Sequence, residues 1–142
     1  METYKMDKCV VYYESWQLQC CGDPFAVGEN VWWKVRIPEE ESICNGTKVD
    51  FYEEHHIRHT HTVKGTIIKI IAERSELLKG DMVEECVSYE ESDKIYEELQ
   101  AADGWESEMR SDETTLRAFW GYVVELKDVT VKQLKNKKHS AV

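Results

Sequence analysis

The sequence predicts a mainly β fold, β-rich α+β in class, in which five to seven strands close into a small barrel and one helix near residues 93–103 lies on the surface. Three observations point there. Short runs rich in Val, Ile, Tyr, Trp and Thr recur along most of the 142 residues, the composition that suits a pleated, half-buried surface. The apolar share is 42%, with five Trp, seven Tyr and three Phe, enough to fill one core. Two prolines and seven glycines give little punctuation, and neither a repeat nor a Gly/Ser linker divides the chain. Residues 1–135 therefore read as a single acidic, barrel-like domain and residues 136–142 as a basic, flexible tail.

The first strand is the run Cys9-Val10-Val11-Tyr12-Tyr13. The second is Val31-Trp32-Trp33-Lys34-Val35-Arg36-Ile37, where Val31, Trp33, Val35 and Ile37 share one face at period two while Trp32, Lys34 and Arg36 take the wetter one. Val49-Asp50-Phe51-Tyr52 is the third. The fourth spans 63–72, and its Thr66-Ile67-Ile68-Lys69-Ile70-Ile71 run is apolar enough to be buried on much of both faces. Runs at 82–89 and 116–126 complete the set, with 129–134 as an edge strand. The helix rests on Ser92 as cap, Asp93 at the positive end of the dipole, an apolar stripe of Ile95, Leu99 and Ala102, and Gly104 past the end.

The phrase Pro24-Phe25-Ala26-Val27-Gly28-Glu29-Asn30-Val31 delivers the chain through a turn at Gly28 into a strand. Lys64-Gly65-Thr66-Ile67-Ile68-Lys69-Ile70 answers it after an insertion. The pair resembles the first two strands of SH3-like barrels, and a single helix before the last long strand suits an OB-like barrel equally well. This resemblance implies architecture, not activity.

Charge narrows the partners. Twenty-eight acidic residues oppose 18 basic ones, a formal net charge of -10. Lys132, Lys135, Lys137 and Lys138 lie near the end with no acid among them, so residues 1–131 carry 14 basic against 28 acidic groups, net -14. Nucleic acid is thereby disfavoured, because affinity there comes from cations displacing counterions along phosphates, and so is an anionic membrane. The stretch Met1-Glu2-Thr3-Tyr4-Lys5-Met6-Asp7-Lys8 lacks the apolar run of a secretory signal, and no segment approaches the roughly 18 apolar residues of a span. A cytoplasmic protein is expected. Its five cysteines, Cys9, Cys20, Cys21, Cys44 and Cys86, are then reduced thiols, most of them small buried hydrophobes.

Two clusters carry chemistry. Trp16-Gln17-Leu18-Gln19-Cys20-Cys21-Gly22-Asp23-Pro24-Phe25 places adjacent thiols at a turn, where Gly22 can take a positive φ and Asp23 is pushed extended by Pro24. Three readings compete: metal ligation, a vicinal disulfide switch, and packing against Trp16 and Phe25. The absence of a Cys-x-x-Cys spacing weakens the first two. His55-His56-Ile57-Arg58-His59-Thr60-His61 holds four of the five histidines. Extended backbone puts His59 and His61 on one face and a helical turn does the same for His55 and His59, so either conformation offers two imidazoles. Cys20 and Cys21 with two of these histidines would make the tetrahedral Cys2His2 set that zinc prefers, with Glu53 or Glu54 as a spare carboxylate. Against that, polar His-rich loops are commonly solvated, and Arg58 would repel a cation.

Acidic pairs at Glu84-Glu85, Glu90-Glu91 and Glu97-Glu98, with Glu39-Glu40-Glu41 and a loop bearing Glu106, Glu108, Asp112 and Glu113, read as solvated charge that could steer a basic protein toward this one. No Gly-x-Ser-x-Gly, P-loop or Gly-x-Gly-x-x-Gly phrase is present.

The motif Trp16-Gln17-Leu18-Gln19-Cys20-Cys21-Gly22-Asp23-Pro24-Phe25, with Tyr52-Glu53-Glu54-His55-His56, the Gly65-Thr66-Ile67 strand and Gly121-Tyr122-Val123-Val124-Glu125-Leu126, resembles a family of small uncharacterised proteins of Gram-positive bacteria. The resemblance implies a bacterial cytoplasmic protein and adds weight to Trp16, Cys20, Cys21, His55 and His56 as a site; it carries over no activity, and Asp23 stands beside them as a further candidate. Three functions are ranked in order: a non-enzymatic binding or regulatory module with a Cys/His zinc site, a metal- or thiol-dependent enzyme using the same groups, and an acidic immunity or inhibitor protein that neutralises a basic partner.

Overall fold

A computed structural model describes residues 2–44, 46–54, 59–78, 93–104 and 115–134. Three long strands carry the architecture: β1 (Thr3–Glu14), β7 (His61–Leu78) and β10 (Thr115–Gln133). Each combines β-branched and aromatic residues over more than one pairing partner, which is why they run beyond the usual five or six residues. The shorter β3 (Asn30–Arg36) and β6 (Phe51–Glu53) complete a ring. β10 pairs antiparallel with both β1 and β7, β7 with β3 and β3 with β6, and β6 closes onto β1 in parallel. The fold is thus mainly β, as expected, with a near-barrel of five strands. A sixth, β8 (Asp93–Leu99), lies along the second half of β7. Two small ladders add to it, β2 (Phe25–Ala26) with β9 (Ala101–Ala102), and β4 (Ile43–Cys44) with β5 (Thr47–Lys48).

The core follows period two. Val11 and Tyr13 of β1, Val35 of β3, Phe51 of β6, Val63 and Ile67 of β7, and Tyr122, Val124 and Leu126 of β10 are buried together. At one end of the ring the aromatics meet edge to face: Trp33 lies 5.2 Å from Tyr13 and 5.1 Å from Phe25, and Tyr122 lies 5.6 Å from Phe25. Offset and T-shaped contacts of this kind add about 1 kcal/mol each beyond the area they bury. The strands bearing the Gly28 phrase and the Gly65 phrase are neighbours, with Val31 opposite Gly65 and the Gly28 amide donating to the Ile67 carbonyl over 2.8 Å.

The helix expected at 93–103 is instead the strand β8 followed by β9. The reason lies in the spacing. Ile95 and Leu99 are four apart, which is one face of a helix and, because four is even, also one face of a strand. The open edge of β7 from Ile70 to Glu76 supplies seven residues of antiparallel pairing, and tertiary pairing of that length overrides local helix signals. Ala102, the third member of the stripe, is buried opposite Phe25 in the smaller ladder.

The helix among the described residues is α1 (Ser15–Cys21), directly after β1. Its cap, Glu14, makes no side-chain bond to it, so the turn is held by burial of Gln17 and Leu18. The run expected as one strand at 49–52 is split, with Val49 buried before β6 begins. The run at 116–126 and the edge strand at 129–134 belong to the single strand β10. The expected strand at 82–89, the acidic loop at 106–113 and the tail at 136–142 lie outside the described residues. Among the described residues no helix is long and apolar enough to cross a membrane.

Candidate functional site

β6 is only three residues long. It bonds β1 at Val11 and Tyr12 and β3 at Val35 and Arg36, and the last bond of its line among the described residues runs from the Glu54 amide to the Lys34 carbonyl over 2.7 Å. β3 continues beyond that point to Asn30, and among the described residues its only partner there is β7. A cleft of about 570 Å³ occupies the space where β6 would have continued, lined by Tyr13, residues 22–25, residues 29–34 and Glu53. That size is within the range of ordinary ligand sites, roughly 300 to 1,000 Å³.

The ladder rule fixes which backbone groups of β3 face the cleft. In an antiparallel pair, alternate residues direct both their N–H and C=O to the same side. The Lys34 carbonyl points to the β6 side, so Trp32 and Asn30, at the same parity, point there too. Asn30 also anchors the neighbouring strand, its Oδ1 accepting from the Thr66 hydroxyl over 2.6 Å.

The side chains give the cleft its character. Trp33 faces inward with Tyr13 and Phe25, and these three rings form an aromatic floor. Trp32 faces outward and is 58% exposed, the most exposed tryptophan of the described residues. Asp23 and Glu29 supply exposed acid against Lys34, while Glu53 is buried at the end of β6. Glu29 is held in place, its Oε1 accepting from the Ala26 amide over 2.7 Å. A second cavity of about 390 Å³, lined by residues 24–26, Glu29 and residues 101–103, shares Pro24, Phe25 and Glu29 with the first.

The motif from Trp16 to Phe25 builds one wall of this cleft. Gln17 is fully buried and its Nε2 donates to the Glu53 carbonyl over 3.2 Å, tying α1 to the end of β6. Gly22 has a φ of -89°, so the positive φ expected there is not what the position uses. It is needed for space instead: a Cβ at Gly22 would run into the Tyr13 hydroxyl. Phe25 is core, and Asp23 and Pro24 are left on the rim.

Of the other expected site residues, Trp16, Cys20, His59 and His61 lie outside the lining of the cleft. Trp16 is 48% exposed, its indole N–H donating to Glu14 Oε2 over 3.0 Å. Cys20 is exposed on α1. His61 opens β7 with 7% exposure, shares a 2.7 Å hydrogen bond between Nδ1 and the Thr60 hydroxyl, and lies against the Phe51 ring; burial lowers its pKa below 6.5. His59 is half-buried in the preceding loop. His55, His56 and the side chain of Cys21 lie outside the described residues. Among the described residues, no three His, Cys, Asp or Glu side chains converge as a metal site would require.

A second polar group lies on the opposite face of β1. Glu73 is 6% exposed and accepts from the Tyr12 hydroxyl over 2.8 Å and the Tyr96 hydroxyl over 3.2 Å, with the Lys94 ammonium 3.9 Å away. Burial, and then the Glu73 charge, raise the pKa of Tyr12 far above that of a free phenol. The same two causes push the Cys44 thiol up to about 11. The Glu73 carboxylate is occupied by the protein's own donors, so this group acts as a satisfied structural network.

The sequence marks Asp23, and Glu53 as a spare carboxylate, and leaves Tyr13, Asn30, Trp32 and Lys34 unmarked as site residues. The alternation that puts Trp32 and Lys34 on the wet face is the available signal.

The chain belongs to a family of unknown function, DUF6578, whose family model matches residues 7–128. No curated protein and no solved structure matches it.

Proposed function

We propose that this member of an uncharacterised family is a non-enzymatic binding or regulatory module whose working surface is the cleft left where β6 stops short. One observation carries the reading: a cavity of ligand size, floored by Tyr13, Phe25 and Trp33, opens onto a strand edge with no second neighbour among the described residues. Two exposed acids, Asp23 and Glu29, against one lysine, on a chain of formal charge -10, favour a basic protein as partner and disfavour nucleic acid and anionic membrane. Cys9, Cys20 and Cys44, none of them in a disulfide, suit the reducing cytoplasm, and the phrase from Trp16 to Phe25 supports a Gram-positive bacterial setting.

Nuclear magnetic resonance of the 15N-labelled full chain tests this, using small organic amines, carboxylates and neutral aromatics as probes. Saturable shifts at the Trp32 indole N–H and the Asn30 amide are expected; silence there across the whole probe set overturns the reading. Zinc held by Cys20 and Cys21 with His55 or His56 would brace the wall that Gln17 ties to β6. Elemental analysis of chelator-free protein, repeated on Cys20→Ser and His56→Ala, checks it: bound zinc lost in both variants supports the site, and no metal in the parent removes it.

A further inference from the structure

We propose that the cleft is a strand-acceptor site, in which an extended basic segment of a partner protein adds to the edge of β3 at Asn30 and Trp32, where β3 has no second strand among the described residues. The inference rests on the cleft being the binding surface and specifies how it binds.

The first argument is the backbone. Trp32 and Asn30 each present an N–H and a C=O to the cleft side of β3, in line with the bond that Glu54 makes to Lys34. An entering strand that prolongs the line of β6, antiparallel to β3, meets these groups at the spacing a ladder requires. Recognition by strand addition takes its affinity from such main-chain bonds and its specificity from pockets at alternate side chains.

The second argument is the side-chain pattern. Alternate residues of the entering segment face inward and outward. The inward ones meet the half-buried Trp33 ring, backed by the buried Tyr13 and Phe25, which suits apolar side chains. The outward ones pass Trp32, whose exposed indole face attracts an ammonium or guanidinium. Asp23 and Glu29 lie on the same rim, and the second cavity carries the acidic lining on to Asp103. An extended segment alternating cationic and apolar residues satisfies all of these at once.

The third argument is that nothing in the sequence of β3, and no second strand among the described residues, guards this edge. Natural edge strands are blunted by proline, a bulge, an inward charge or a covering element. No proline lies between Asn30 and Arg36, and the β3–β7 register runs unbroken from Asn30 opposite Thr66 to Val35 opposite His61.

The test uses the 15N-labelled full chain and four blocked octapeptides. One alternates lysine and valine, one replaces lysine by glutamate, and two carry N-methyl groups on one or the other alternate set of amides. The lysine peptide is expected to shift the Asn30 and Trp32 amides saturably. The glutamate peptide and one methylated peptide should bind about tenfold or more weakly, while the other methylated peptide binds as the parent does. Equal binding by both methylated peptides overturns strand addition, and equal binding by the glutamate peptide overturns the basic specificity. A silent lysine peptide alongside small organic probes that do shift the cleft overturns this inference and leaves the cleft as a binding surface; silence from both overturns both.

Discussion

Gly121 lies directly against Tyr12, so that a Cβ on the glycine would stand 2.9 Å from the tyrosine hydroxyl oxygen and 2.6 Å from the carbonyl oxygen of Tyr13. The approach follows from the pairing of β1 with β10, in which Glu14 is opposite Gly121, and from the crossing of Tyr12 over the strand to reach Glu73. One of the two obstructing atoms is backbone, which cannot swing aside. Gly121→Ala is therefore expected to destabilise the protein by about 2 kcal/mol, the cost typical of overpacking, measured as a fall in the midpoint of urea unfolding. An unchanged midpoint would show that β1 and β10 can part without loss.

The Tyr12 hydroxyl is worth more than its single bond to Glu73 suggests. It supplies the shortest contact to a carboxylate that is almost wholly removed from water. Tyr12→Phe leaves Glu73 with the Tyr96 hydroxyl, the Cys44 thiol and a lysine at 3.9 Å. A loss of about 2 kcal/mol is expected, in the range for hydrogen bonds to charged groups. A double-mutant cycle with Glu73→Gln should show a coupling of about 1 kcal/mol or more, and strict additivity would argue that the two side chains do not act as a unit.

Much of the fold is legible because period two is a local property. Alternation alone puts Val31, Trp33 and Val35 on one face and Trp32 and Lys34 on the other, and Val35 is buried while Trp32 is out in water. The same alternation assigns Ile37 to the inner face, yet it is exposed, because β3 ends at Arg36 and the pleat no longer orients the residue after it. The strand found where a helix is expected at 93–103 shows the limit from another side: a four-residue spacing between Ile95 and Leu99 does not distinguish the two periods. The helix found among the described residues, Ser15–Cys21, buries Leu18 but leaves Trp16 and Cys20 exposed and has no side-chain cap, so no apolar stripe announces it. The cleft is illegible for a stronger reason. It exists because β6 has three residues where its neighbour has seven, and a ladder partner missing among the described residues is a fact about the assembled ring.

Cys44 should be chemically quiet although it is half exposed. Burial and the neighbouring Glu73 charge push its thiol up to about 11, with Lys94 pulling the other way. At pH 8 roughly a thousandth of it is thiolate, and the thiolate is the species that reacts. Peptide mapping after a timed exposure to iodoacetamide at pH 8 should find Cys44 at least tenfold less modified than an unstructured cysteine peptide. Substituting Glu73 by Gln should accelerate it, since that removes one of the two causes. Rapid alkylation in the parent protein would count against the enclosed setting of Glu73.

His61 gives the protein a pH-dependent element whose sign can be worked out. Its ring is buried against Phe51 and its pKa is lowered, so the folded protein binds that proton less readily than the unfolded chain does. Above about 6.5 the imidazole is neutral in both states and His61 has no effect on the slope of stability with pH. As the pH falls below that value the unfolded chain takes up the proton first, and stability is lost until the pH reaches the lowered folded value. Below that both states are protonated and the loss is complete. His61→Asn removes the titrating group while keeping a polar side chain beside Thr60. The stability advantage of the parent over this variant should therefore be largest at pH 7.5 and narrow steadily toward pH 5, as read from paired urea titrations. A constant difference across that interval would mean that the ring is as accessible to protons in the folded protein as in the unfolded one, and that the start of β7 is not packed as described.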